Sequence, residues 1–129
     1  QRASRALHEE FPERVEVRTG CSRTEAMDLL RASLFVFSPA LRYGWGLIGD
    51  AWGTGTQVIS RTEHYDLNDG ANCLVASDAA TFVRHVVALK TDEGLFGTIT
   101  KGGTETVAGH APEVVAEALM GIVQGAISR

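Results

Sequence analysis

Apolar and polar positions follow two rhythms along this chain. Val15-Glu16-Val17-Arg18 alternates with a period of two, as a half-buried strand does. Ser33 to Phe37 is nearly all apolar and reads as a strand buried on both faces, as in a parallel sheet. Gln57 to Ser60 and Asn72 to Val75 give two further short strands. Helical stretches separate these runs. Ser22-Arg23-Thr24-Glu25 is a capping box, with Ser22 as N-cap and Glu25 three residues on. It predicts a helix over 23–32 that turns Met27 and Leu30 inward. Other helices are predicted over 3–10 and 47–52, the second closed by Gly53 to Gly55. A helix capped by Ser77-Asp78 runs to about Leu89, with Phe82, Val83, Val86 and Val87 on one face. The stretch 92–107 is helical but weakened by Gly102-Gly103. Pro112 opens the last helix, where Val115, Leu119, Ile122 and Val123 recur at helical spacing. Thr19-Gly20 and Asn68-Asp69-Gly70 mark turns.

Strands alternating with helices predict an α/β fold: a three-layer Rossmann-like sandwich on a short parallel sheet of about four strands. The 129 residues form one domain of this kind. In such sheets ligands sit beyond the carboxyl ends of the strands. That rule points to the loops after Phe37, Ile59 and Val75.

Composition narrows the function. A formal net charge of −4 argues against a nucleic-acid partner. Cys21 and Cys73 lie far apart and form no C-x-x-C pair, so two reduced, buried thiols are expected. No run reaches the ~18 apolar residues of a membrane span, so no integral membrane segment is expected. No signal-peptide pattern opens the chain. A cytoplasmic place is the expectation, with peripheral membrane association open to the full-length protein. The chain begins Gln1-Arg2, without Met, and a longer parent protein is expected.

Two segments carry candidate chemistry. In the first, a buried strand runs into Gly44-Trp45-Gly46-Leu47 and then a helix start. Backbone N–H groups at a helix N-terminus bind anions, and Gly44 and Gly46 would let a phosphate come close. Asp50, one turn in, could accept hydrogen bonds from ribose hydroxyls. Taken alone, a packing turn explains the same residues. In the second, Arg61-Thr62-Glu63-His64-Tyr65-Asp66 places a dense polar run after the third strand. It reads as a solvated loop or as acid-base residues. His8, His64, His85 and His110 are scattered and make no metal-ligand spacing with the cysteines, so no metal is expected. No G-x-S-x-G elbow is present.

Together these segments resemble the C-terminal domain of the group 1 retaining glycosyltransferases of GT-B fold. That family's pattern runs from a buried strand through Pro-Ser and Glu-Gly-Phe-Gly-Leu to a Glu-Ala-Met-Ala helix. A Gly-x-Pro-Val-Val strand and an Asp-Gly-x-Asn-Gly-Leu-Leu-Val stretch follow. Here Leu34 to Pro39, Tyr43-Gly44-Trp45-Gly46-Leu47, Asp50-Ala51-Trp52-Gly53, Gly55-Thr56-Gln57-Val58-Ile59 and Asp69 to Val75 are similar, in the same order. The tail Gly103 to Val107 is similar to the end of the family's penultimate helix.

The resemblance implies a donor-binding half that takes a nucleoside-diphosphate sugar, with no cofactor. Its expected donor-binding residues are Arg42, Tyr43, Gly44, Trp45, Gly46, Leu47 and Asp50, with Arg61, Glu63 and His64 as possible additions. Asp50 stands where the family's second glutamate holds the ribose. Arg42 or Tyr43 stands where the first holds the sugar. The N-terminal acceptor domain of the same protein is the implied partner. No catalytic residue is expected in this chain, which alone should be inactive. Two alternatives stay open. One is a non-catalytic binding or interaction module of the same fold. The other is a sugar-nucleotide epimerase-like domain, suggested by Thr62-Glu63 but lacking that group's Ser-Gly-Gly loop.

Overall fold

A computed structural model of the chain describes residues 2–38, 45–63 and 66–127. In chain order the elements are α1 (Arg2–Glu10), α2 (Arg23–Ala32), β1 (Phe35–Ser38), α3 (Trp45–Gly53), β2 (Gln57–Ser60), β3 (Leu74–Val75), α4 (Ala79–Thr91), α5 (Glu93–Ala108) and α6 (Pro112–Ile127). Local chemistry fixes several ends. The Ser22 hydroxyl accepts the Glu25 N–H at 3.2 Å and starts α2. Asp78 accepts the Thr81 N–H at 2.8 Å and starts α4. Asp92 accepts the Leu95 N–H at 3.0 Å, so one residue ends α4 and starts α5. Gly55 (φ 75°) and Gly70 (φ 79°) take the left-handed backbone their turns require.

Among the described residues the sheet has three parallel strands in the order β1-β2-β3. Phe35 lies opposite Gln57, Ser38 opposite Ser60, and Ile59 opposite Leu74. The expected fourth strand, Val15–Arg18, does not form. These residues meet no other strand, and Glu16 and Arg18 pair with each other at 2.7 Å instead. β1 also departs from expectation. It is an edge strand, so it is not buried on both faces: Leu34 and Phe37 are exposed. Full burial falls on the central strand, Gln57 to Ser60.

The core has two parts, divided by the alternation of side chains along β2. Val58 joins Ile48, Ala51, Trp52, Leu67 and Cys73, backed by Leu30 of α2 and Val36 of β1. Ile59 joins Leu74, Ala76, Leu89 and Ile99, backed by Phe35, Phe82 and Val86. Each fully buried Ile or Val in these clusters contributes about 1.5–3 kcal/mol. On α4, Phe82 and Val86 turn inward as expected. Val83 and Val87, a third of a turn round, are exposed, which corrects their placement on the inner face.

Gly102 and Gly103 are a packing device rather than a weakness. A Cβ at Gly102 would lie 1.9 Å from the Ala71 carbonyl oxygen. One at Gly103 would lie 2.3 Å from the Trp52 indole. α5 therefore lies directly on the turn before β3 and on α3. Trp52 in turn donates its indole N–H to the Asn72 carbonyl at 2.9 Å.

α6 forms as its spacing predicts, but all of its described residues after Pro112 are exposed, Ile122 to 69%. Cys73 is buried and free. Cys21 is free but exposed, contrary to the expectation that both are buried. No described helix is long and apolar enough to cross a membrane.

Candidate functional site

Ligands bind beyond the carboxyl ends of parallel strands, which makes candidates of the three segments that follow β1, β2 and β3 in the chain. The first follows β1 and leads into α3. Arg42, Tyr43 and Gly44 lie outside the described residues. α3 is the next described element after β1 and begins at Trp45. Gly46 and Leu47 occupy its first turn and are exposed. A Cβ at Gly46 would meet nothing within 4 Å. Nothing among the described residues therefore requires a glycine at position 46 for packing.

Asp50, the expected ribose contact, sits one turn further along. It already has a partner that sequence spacing did not suggest. Arg23, at the start of α2, donates from Nη1 to Asp50 Oδ2 at 3.1 Å and from Nη2 to Oδ1 at 3.0 Å. This two-pronged ion pair ties α2 to α3 and takes up both carboxylate oxygens. Any ribose hydroxyl would share or displace that contact.

The second loop follows β2. Arg61 and Glu63 are exposed at its start, and His64 lies outside the described residues. Ser60, buried at the strand end, donates its hydroxyl to the Thr62 carbonyl and so turns the chain. Further on, the loop is tied down by amides. Asn72 donates to the Asp66 carbonyl at 2.7 Å and to the Thr106 hydroxyl at 3.1 Å, and accepts the Asn68 N–H at 2.8 Å. His110 reaches Asp66 Oδ2 at 2.7 Å from beyond α5. Thus Asp66 anchors the loop through both its carbonyl and its carboxylate.

The third loop joins β3 to α4. Here Asp69 accepts the Val75 N–H at 2.9 Å and His85 donates to the Val75 carbonyl at 2.8 Å. Asp78 accepts from the Thr81 N–H and, at 2.9 Å, from the Thr81 hydroxyl. These hydrogen bonds hold the Asp78 carboxyl below its usual range. The ends of β1 and β2 and the start of α4 border an open depression of about 300 Å³. Phe37, Arg61, Ser77, Asp78 and Phe82 line it. Only Arg61 of these belongs to the site expected from sequence. The strand-end rule pointed to this place, but the run 33–37 looked like pure core, which hid Phe37.

Among the described residues no group of three or more His, Cys, Asp or Glu side chains could hold a metal ion. Burial pushes the Cys73 thiol up to about 12, helped by the charges of Asp69 and Glu63. It is therefore no nucleophile near neutral pH. No family model, curated protein or solved structure matches the chain.

Proposed function

We propose that this chain is the nucleotide-sugar-binding half of a glycosyltransferase of GT-B fold, acting with an acceptor domain elsewhere in the same protein. The observation that supports the reading is a helix, α3, that follows β1 of a parallel sheet and carries an exposed glycine, Gly46, in its first turn. The unpaired N–H groups and positive dipole end of such a helix suit a diphosphate. The leaving diphosphate gains charge in the transition state, and this site would stabilise it. The half-exposed apolar residues of the edge strand β1 support a larger sheet, completed by further strands into a three-layer Rossmann-like sandwich.

The Arg23–Asp50 ion pair favours a second reading, the non-catalytic module of the same fold. A carboxylate whose two oxygens are engaged is a poor ribose ligand. Calorimetric titration of the full-length protein with uridine and guanosine diphosphate sugars separates the two. On the first reading Gly46→Val weakens binding by roughly 1–3 kcal/mol, the cost of unpaired polar groups, while folding normally. Asp50→Ala weakens it less, since solvent replaces part of one contact. Absence of any nucleotide binding by the wild type selects the non-catalytic module.

A further inference from the structure

Two parts of the molecule lack the neighbour their chemistry calls for, and only α2 separates them in the chain. The first is β1. It is an edge strand of a parallel sheet, and the flanking Leu34 and its own Phe37 stay 38% and 36% exposed. The backbone N–H and C=O groups of such an edge form a template for another strand. The second is Val15–Arg18, which has the period of a strand and pairs with none among the described residues. Val17 is 40% exposed. Glu16 and Arg18 meet at 2.7 Å, and side chains two apart share one face of an extended chain, so their contact suits a strand. α2 is incomplete as well: none of its residues is buried.

Topology decides where the segment can go. α3 carries the chain from β1 to β2 over the face of the sheet that holds Val58, and Leu30 of α2 and Val36 of β1 pack against the same cluster. A strand on the free edge of β1, followed by α2 and then β1, repeats the β1-α3-β2 crossover in the same direction over the same face. It therefore has the same hand, as parallel crossovers must. A strand beyond β3 would reverse the hand. The connections also fit. Thr19 to Ser22 lead into α2, and Ser33 and Leu34 lead out of it, ordinary lengths for a strand–helix–strand unit. Gly20 has the left-handed φ of 68° that tight turns use.

The valines fix the register. Val15 and Val17 belong on the face that α2 covers, which is the face of Val36. With Val17 beside Val36, Val15 falls beside Leu34 and the Arg18 stem beside Phe37, the two exposed apolar side chains at this edge. Val15 can keep its bonds to α1, from its N–H to the Phe11 carbonyl at 2.9 Å and from His8 to its own carbonyl. Alternate residues of a strand direct their backbone groups to opposite sides, so Glu16 and Arg18 make the bonds to β1.

We infer that Val15–Arg18 is a strap that closes on the free edge of β1 as a fourth parallel strand. Closing buries Val17 under α2 and brings the Thr19–Ser22 turn to the end of the sheet from which the segments after β1, β2 and β3 leave. The inference holds whether or not the chain binds a nucleotide sugar.

The test is disulfide trapping at micromolar concentration in the Cys21→Ser chain, which leaves only the buried Cys73 as background. Neighbouring strands stand about 4.8 Å apart, within reach of a disulfide. The pair Val17→Cys with Val36→Cys should therefore close within one chain about tenfold faster than Glu16→Cys with Val36→Cys, whose first thiol points to the other face. Both variants carry Val36→Cys, so any loss of packing there affects them equally. Equal rates, no closure in either variant, or a disulfide that joins two chains overturns the inference. Val17→Pro gives an independent reading. It removes no hydrogen bond described in the open arrangement but obstructs the docked strand, so the urea midpoint should fall. An unchanged midpoint also overturns the strap.

Discussion

Cys73 shows how much a single buried position decides. The thiol is raised from an ordinary 9.0 to about 12 by burial first and neighbouring carboxylates second. The folded chain holds this proton where the unfolded chain releases it. The stability it contributes is complete below pH 9 and is lost as the pH rises from there towards 12. Urea denaturation across that window should show falling stability, and Cys73→Ala should remove part of the slope. At neutral pH, mass spectrometry after brief alkylation should find Cys21 modified and Cys73 intact. Gly102 makes the complementary point. Gly102→Ala would drive a methyl group into the Ala71 carbonyl and should cost about 1–3 kcal/mol or more in denaturant titration. An unchanged midpoint would show that α5 does not lie on that turn. In the sequence the Gly102-Gly103 pair looks like a weak place in a helix. The contacts that require it, Ala71 for Gly102 and Trp52 for Gly103, lie some thirty to fifty residues away along the chain, beyond the reach of any local pattern. Asn72 and the Arg23–Asp50 pair were hidden for the same reason.

Elements were legible where local chemistry defines them. α2 runs over the predicted residues because its capping box is complete within four positions. α3 to α6 follow their periodicity to within about two residues, since caps and apolar spacing are both local. Strands were less legible because pairing is a long-range event. Val15–Arg18 has the alternation of a strand but pairs with no strand among the described residues, and its Glu16 and Arg18 pair with each other in solvent. β1 was correctly placed, yet its burial depended on a neighbour that the sequence cannot supply. At this scale the test is the α2–α3 clamp. Arg23→Ala and Asp50→Ala should each lower stability by up to about 1 kcal/mol, because Arg23 is largely exposed. A double-mutant cycle should give a favourable coupling between them; a coupling of zero would mean that the pair does not form in solution.

For the whole molecule, the parallel sheet and the strand-end position of the candidate sites followed from the order of strands and helices. The Arg23–Asp50 pair beside the first of these was less visible, because its two residues lie far apart along the chain. The exposed α6 also changes how the isolated chain should behave. Leu119, Ile122 and Ile127 stand in solvent, so 1-anilinonaphthalene-8-sulfonate should fluoresce with the folded protein. Ile122→Glu should dim that signal without lowering the melting temperature. α5 has a consequence of another kind, in the order of folding. Its sixteen residues include four glycines and four threonines, a composition that forms little helix in isolation. It becomes helical only against a surface already built, the Trp52 ring and the 71–72 turn. Folding kinetics should therefore separate the two core partners Ile59 and Ile99. Ile59→Val should slow folding, while Ile99→Val should mainly speed unfolding. On that basis the glycine pair that lets α5 lie so close to its neighbours also makes it the last major helix to join them.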